Sequence, residues 1–574
     1  MKSIKNIIPK HLKKYIVNQN YSQYNEINQS TWRFIMKISI DFFKKYGHKI
    51  YIDGLDKTGI TIDKIPKISD INNKLNKFNW SAIPVRGFIP PNAFMEFQSL
   101  KILPIAADMR THKHLTYTPA PDIVHEAAGH APIIANKDYS NYLINYGEVA
   151  NKAIMSSEDM ELYYAIRALS DIKEKSNVPK NEIKKYNQKL KKAYENITYT
   201  SESALLSRMN WWTVEYGLIG DINNYKIYGA GLLSSVEESE NCISDNIKKI
   251  PLSIDCINYK YDITEQQPQL FITKNFKQLS KVLEQLSNKM SFKVGGVYGL
   301  RQAIKAKTLC TIEIDQNIQI SGVVENFISR NNVPIFVKTI GKTQLCFNNK
   351  ELKNHGTDYH SNGYSCPIGK LKKYKKSINK LSSNEIKKLN IEINQTVTLE
   401  FLSGIKLVGT IKSINKKLSK IILIKFDNCT VKYNDKFLFK PDWGDFDLIC
   451  GELINSVYGG AADKLNYDKE QYKKSKYESL NKKNLDYTNI QLNKLHKQCR
   501  ILEKKYSDEK ILKLFNKAIN DYPEEWLILY ELLEIANNYK NTKITNKIMT
   551  SLNKFINNKS HESNVIKRAL HLIK

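Results

Sequence analysis

The stretch PAPDIVHEAAGHAPIIA, Pro119 to Ala135, sets His125, Glu126 and His130 in a run of otherwise small and apolar residues. Pro121 suits a first helical position and Asp122 complements the helix dipole, so a helix is predicted to begin just before His125. A zinc peptidase needs H-E-x-x-H, and position 129 is glycine, so that chemistry is excluded. In an α-helix a five-residue step rotates by about 140°. Both histidines therefore reach one metal only if the helix ends or distorts between them, and Gly129 and Pro132 are suited to cause that. A lone histidine is ordinarily a satisfied core or surface residue. Two of them, beside a glutamate and among small residues that admit other groups, point to a metal pair.

Such a pair needs a carboxylate. The segment WWTVEYGLIGD offers Glu215, flanked by Trp211, Trp212, Val214, Tyr216 and Leu218. If the segment is helical, Glu215 shares a stripe with Trp211, Leu218 and Ile219. A carboxylate in such surroundings needs a compensating charge, which either an ion pair or a metal supplies. Two histidines and one carboxylate form the facial set that suits non-haem Fe(II) and leaves neighbouring coordination positions open.

The chain around these motifs is long, 574 residues, and predicts two to four domains. No apolar run is long enough for a membrane span, and the basic start, MKSIKNIIPKHLKKY, lacks the apolar core of a secretory signal. Eight scattered cysteines without a C-x-x-C pair argue against a disulfide framework and a cysteine zinc site, and favour a reducing cytoplasm. The net charge of +30 is mostly lysine and is spread along the length. Base readout and phosphate clamping favour arginine, so specific nucleic-acid binding is not expected.

Residues 1 to about 300 carry helical periodicity, notably around Thr31–Tyr46, Ile71–Phe78, Ser140–Ile154, Met160–Ile172 and Asn181–Ile197. The charged stretch Ile172–Lys192 reads as a surface helical insertion. Beyond Thr308 the pattern alternates and becomes β-branched, as in CTIEIDQNIQISGVVENFI and QTVTLEFLSGIKLVGTIKSI. Lys370–Asn390 reads as a link between two such β units. From about Lys464 the chain turns helical and charged, and INDYPEEWLILYELLEIANNY reads as part of a helical hairpin. His355 and His360 repeat the five-residue spacing, with Cys366 following, but in a Gly/Asn/Ser context that predicts an exposed loop.

Four stretches together, GLDKTGITIDKIP, RTHKHLTYTPAPDIVHEAAGHAPIIA, WWTVEYGL and YGAGLLSS, resemble the pterin-dependent aromatic amino acid hydroxylases, with QQPQLF fitting a later strand. The resemblance runs in order over about residues 50 to 300. It implies a mainly helical catalytic domain over 1–305 (core 50–300); with the β-rich pattern over 306–462 and the charged helical pattern over 463–574, the expectation is a multidomain α+β chain. It implies Fe(II) held by His125, His130 and Glu215, tetrahydropterin as cofactor and dioxygen as co-substrate. Arg110, Thr118 and Ser234 match groups that bind the carboxylate of the amino-acid substrate. Pro121, Trp211 and Tyr216 match the walls of its aromatic pocket. Gly87, Phe88, Ile89 and Phe94 match the pterin loop, and Glu126 a carboxylate near pterin and iron. The implied reaction adds one oxygen atom to the ring of a small aromatic amino acid, phenylalanine to tyrosine in the first instance. Tryptophan or tyrosine hydroxylation is the alternative, as is a C-terminal half serving mainly for interaction.

The chain departs from the animal enzymes at several positions. Pro90 and Pro91 stand where serines are usual, Asn210 and Gln266 where aromatics are expected, and Glu237 where glycine is common.

Overall fold

The computed structural model describes residues 7–87, 89–111, 115, 121–173, 178–261, 266–467, 487–557 and 562–573. Its spine is the helix Glu26–Tyr46, opened by a reciprocal capping box in which Asn25 and Asn28 each satisfy the other's backbone N–H. Trp32, Phe34, Ile35, Met36, Ile38 and Phe43 are all buried, which is more than one face of a helix. The reason is that the helix is covered from two sides. The helices Lys49–Thr58, Ile68–Leu75 and Lys137–Lys152 join it in a core over residues 27–290. The C-terminal helices, Tyr487–Lys504 through Ser563–His571, close the other side and extend the same core.

That second contact is built from paired charges as well as rings. Phe34 meets Trp526 and Tyr530 edge-on, each at 5.0 Å. Arg33 reaches Glu531 at 2.7 Å, and His496 holds the other oxygen of the same carboxylate, also at 2.7 Å. Arg568 lies over Phe42 and donates to the Ile38 carbonyl.

Two small sheets frame the catalytic half. Ser81–Val85 pairs in parallel with Ile102–Ala106, and both strands are almost fully buried. Leu218–Asp221, Asn224–Ile227, Lys248–Pro251 and Gln269–Thr273 form a four-stranded mixed sheet. The second sheet corrects one expectation. Leu218 and Ile219 do not share a helical stripe with Glu215, because the helix stops there. Tyr216 leaves helical geometry at φ −119°, ψ 22°, and Leu218 already pairs with Ile272. A Cβ on Gly217 would meet the Thr213 carbonyl at 2.2 Å and the Tyr228 hydroxyl at 2.3 Å, so the sharp exit demands glycine. The charged stretch Ile172–Lys192 falls mainly on the helix Lys180–Glu195, which is mostly exposed and follows the half-buried helix Ser157–Lys173.

From Leu309 to Gly459 the chain is β-rich around a separate core. Its two halves repeat each other. The long hairpin Ile318–Arg330 with Val333–Phe347 has its counterpart in Ile405–Lys417 with Lys420–Tyr433. Register steps fall between Ser321/Val323, Val324/Asn326 and Ile328/Ser329 in the first hairpin. They recur at a constant offset in the second, between Val408/Thr410, Ile411/Ser413 and Asn415/Lys416. Both tight turns use two left-handed residues, Asn331–Asn332 and Leu418–Ser419. A short strand then returns to each hairpin, Gly363–Pro367 on the first and Phe446–Ile449 on the second. Among the described residues no helix is long and apolar enough to cross a membrane, and all eight cysteines are buried free thiols.

Candidate metal centre and its surroundings

The segment Val124–His130 is a π-helix. Its i→i+5 hydrogen bonding brings residues five apart onto one face. The distortion expected from the spacing is therefore a widening of the whole turn rather than a break at Gly129. Glycine has a different task there. A Cβ on Gly129 would lie 2.7 Å from the Ala230 carbonyl, so its absence lets the short helix Ala230–Ser234 press against the π-helix. A second π-turn, Trp211–Glu215, delivers the carboxylate. Gly229 and Gly231 pass so close to the Glu215 carbonyl that Cβ atoms would sit 2.4 and 3.0 Å from it.

The three side chains converge. His125 Nε2 and His130 Nε2 stand 3.2 Å apart, and each lies 3.4 Å from one oxygen of Glu215. Such separations are those of groups sharing one small cation at bond lengths near 2.1 Å. The other nitrogen of His125 is taken: Nδ1 stands 2.9 Å from Ser234 Oγ, which donates to the Ala230 carbonyl at 2.8 Å. The serine must then accept a hydrogen bond from Nδ1–H, leaving the Nε2 lone pair for a metal. Burial lowers His125 to about 4. Burial opposes the ionised form of Glu215 too, yet the two imidazoles outweigh it and hold the carboxyl at about 2. Burial likewise works against a charged His130, but Glu215 overrides it and raises the imidazole to about 9.

Around this cluster the structure locates most of the other candidates. Arg110 donates from Nε and Nη2 to the two oxygens of Asp122, each at 2.8 Å, and from Nη1 to the Ser234 carbonyl at 3.2 Å. Asp122 also accepts from the His125 backbone N–H at 3.1 Å, so one carboxylate both orients the arginine and caps the π-helix. Its burial is costly for a charge, but Arg110 compensates and keeps its pKa lowered. Sequence reasoning saw in Asp122 only a helix-dipole residue; the arginine twelve positions earlier was the missing signal.

Glu126 is buried and held up at about 8 by that burial, 4.0 Å from His130 Nε2, with Oε2 lacking any hydrogen bond. Trp211 is sandwiched between Tyr216 at 4.6 Å and Tyr261 at 4.4 Å, both nearly parallel. Tyr261 was not anticipated from the sequence. Pro121 is half-buried just ahead of the π-helix. Gly87 turns with φ +53° and donates to Asp108 Oδ2 at 3.2 Å, and the Asp108 carbonyl accepts from Ile123. That links the turn to the metal-bearing segment. Ile89 and Phe94 follow, half-buried, and Pro90 caps the helix Pro91–Ser99 through its carbonyl. Phe88 and Thr118 lie outside the described residues.

The departures from the animal pattern have local partners. Asn210 lies near the Glu215 carboxylate and helps to lower its pKa, a polar neighbour of a ligand where an aromatic is expected. Gln266 Nε2 reaches Glu237 Oε1 at 3.3 Å, so two unusual residues meet one another.

A family model described as biopterin-dependent aromatic amino acid hydroxylase matches residues 5–204 and 197–299. The phenylalanine-4-hydroxylase of Mesorhizobium japonicum is 24% identical over 269 residues, 46% of this chain and 81% of that protein. That of Chromobacterium violaceum is 26% identical over 269 residues, 46% of this chain and 75% of its own length. A solved structure of Chromobacterium violaceum phenylalanine hydroxylase with bound iron(III) and 7,8-dihydrobiopterin shares 23% identity at a TM-score of 0.38. It covers 48% of this chain and 88% of that one.

Proposed function

Because the chain belongs to the biopterin-dependent aromatic amino acid hydroxylases, we propose that it converts phenylalanine to tyrosine at an iron held by His125, His130 and Glu215. The observation that carries the reading is the convergence of two imidazole nitrogens and one carboxylate on a single point, with the second nitrogen of His125 turned away by Ser234. Relatives with phenylalanine-4-hydroxylase as their name support the choice of substrate.

The residues fit the absent groups. The ligand set is that of non-haem Fe(II). The orphaned Glu126 Oε2 beside it suits the N–H groups of a reduced pterin, with Gly87, Phe88, Ile89 and Phe94 supplying the loop. When bound, iron and tetrahydropterin supply the electrons and the dioxygen activation that ring hydroxylation requires.

The protein's own contribution is position. The Arg110 guanidinium carries five N–H donors, and the contacts to Asp122 and Ser234 engage three nitrogens without exhausting them, so a substrate carboxylate is held by the rest. The resemblance assigns Thr118 to the same substrate carboxylate. Ser234 orients His125 through Nδ1 and, through its carbonyl, Arg110, tying ligand geometry to substrate binding. Pro121, Trp211 and Tyr216 wall the aromatic ring, and the partly buried stack with Tyr261 screens that side from water. We take residues 1–305 as the catalytic unit, 306–462 as a β-rich unit and 463–574 as helices that brace the first.

The test is incubation of the Fe(II)-loaded protein with phenylalanine, tetrahydropterin and dioxygen, with products identified by mass. Para-tyrosine from wild type and none from His130→Ala supports the reading. Turnover of tryptophan in preference to phenylalanine would reassign the substrate within the family.

A further inference from the structure

The loop around His355 and His360 is not exposed, as its Gly/Asn/Ser composition predicts. Both histidines are buried, at 8% and 7% exposure, and Asp447 lies beside them at 4%. His355 comes from the segment between the first long hairpin and its return strand. Asp447 sits on the return strand of the second hairpin, Phe446–Ile449. The cluster therefore stands where the two β repeats meet.

We propose that His355, His360 and Asp447 form a second metal site, for a divalent transition ion of the imidazole-binding class, which staples the two repeats together. His355 Nδ1 and His360 Nε2 are 3.3 Å apart, and Asp447 Oδ2 lies 3.9 and 4.0 Å from them. A triangle with those sides has a centre about 2.2 Å from every corner, the range of zinc–nitrogen and zinc–oxygen bonds. Direct hydrogen bonding accounts for only part of the same atoms. The two imidazoles lie within hydrogen-bond reach of one another, but both distances to the carboxylate are too long for one, and Asp447 Oδ1 is buried with no hydrogen-bond partner.

The surroundings fix the ligands in place. The His360 backbone donates to the Gly356 carbonyl and its own carbonyl accepts from Thr343, while the His355 carbonyl accepts from Leu345. The Tyr359 ring packs edge-on against both imidazoles, at 5.4 and 4.6 Å. The Tyr364 hydroxyl donates to the Asp447 carbonyl at 2.8 Å and accepts from the Ile449 N–H at 3.2 Å, anchoring the strand that carries the carboxylate. Lys425 brings a positive charge near, but Asp445 holds its ammonium at 3.0 Å, so Asp447 is not its salt-bridge partner. Two imidazoles and a carboxylate suit zinc, with a water completing the set.

The experiment counts metal on the full chain. Protein stripped with chelator is equilibrated with zinc, dialysed and assayed by elemental analysis. Wild type is expected to keep two equivalents, Asp447→Asn one, His130→Ala one, and the double variant none. In the His130→Ala background zinc should raise the melting temperature, and Asp447→Asn should remove that rise. A circular-dichroism melt checks that Asp447→Asn is folded; if it is not, His360→Gln carries the same comparison. A wild type holding one equivalent that His130→Ala abolishes overturns the proposal. So does a second equivalent that survives both Asp447→Asn and His360→Gln.

Discussion

The chain spaces two histidines five residues apart twice, and it folds them in different ways. At His125 and His130 the spacing works because a π-helix widens the turn, and the third group arrives on a second π-turn within the same core. At His355 and His360 no helix is involved: a loop with two successive turns carries the imidazoles, and the carboxylate comes from the other β repeat. Both clusters leave a buried carboxylate oxygen unsatisfied, Glu126 Oε2 and Asp447 Oδ1, but only the helical one adds an unsatisfied Trp211 Nε1 and a buried arginine, as a site for substrate and cofactor requires. The β cluster is enclosed by Tyr359, Tyr364 and strand backbone, as a staple requires. Spacing alone thus does not determine chemistry; the backbone that delivers the side chains does.

Removing a ligand should separate the two most sharply. His130→Ala is expected to bring hydroxylation to background while the melting of the β-rich part is unchanged, read by product assay and by calorimetry on the same sample. Unchanged turnover would place the chemistry elsewhere. The next effect concerns the helices that brace only the catalytic half. Glu531 is buried, which disfavours its charge, but His496 and Arg33 outweigh that and lower it from 4.5 to about 2. Because the folded pKa lies below the ordinary one, this stabilisation is complete above about pH 4.5 and is lost as pH falls toward 2. Acid titration followed by Trp526 fluorescence should show the C-terminal helices loosening in that window. Glu531→Gln should cost about 3–5 kcal/mol at neutral pH, since it strands a buried arginine.

Ser234→Ala tests the support of a ligand rather than the ligand. Loss of the Nδ1 partner should weaken iron binding or turnover about 10- to 100-fold. An effect confined to the Michaelis constant for the amino acid would mean that Ser234 acts on substrate alone. The smallest effects come from a matched pair of glycines. An added methyl at Gly129 meets the backbone of Ala230 at 2.7 Å, whereas at Gly356 it meets the end of the Glu351 side chain at the same distance. Backbone cannot yield easily and a side chain can. Gly129→Ala should therefore lose about 1–3 kcal/mol of stability and much of the activity. Gly356→Ala should shift the melting temperature little, and equal losses at both sites would contradict the contrast.

Much of the catalytic half was legible in the sequence because its signals are local. The five-residue spacing requires a distorted helix, and the aromatic-rich segment WWTVEYGLIGD offers the carboxylate of Glu215. What stayed hidden depends on distance. The type of distortion, a π-turn, has no local signature, and the close packing against Ala230–Ser234 that accompanies it comes a hundred residues later. Leu218 and Ile219 read as helical because an apolar pair after Glu215 fits either period, and only the neighbouring strand Gln269–Thr273 decides between them. His355 and His360 read as surface because turn residues surround them, while the carboxylate that gives them meaning belongs to another strand. Two β units joined by Lys370–Asn390 are legible in the sequence, but not that they repeat one another. Between Ile318–Arg330 and Ile405–Lys417 only Ile318/Ile405 and Gly322/Gly409 are identical, so the shared register lives in the hydrogen bonding and not in the residues.

The most direct test of the central claim is a single turnover under ¹⁸O₂ with phenylalanine, tetrahydropterin and Fe(II)-loaded protein. The account predicts para-tyrosine carrying one ¹⁸O atom, formed by wild type and absent with Glu215→Gln. Tyrosine without the label, or labelled tyrosine formed undiminished by Glu215→Gln, would contradict it.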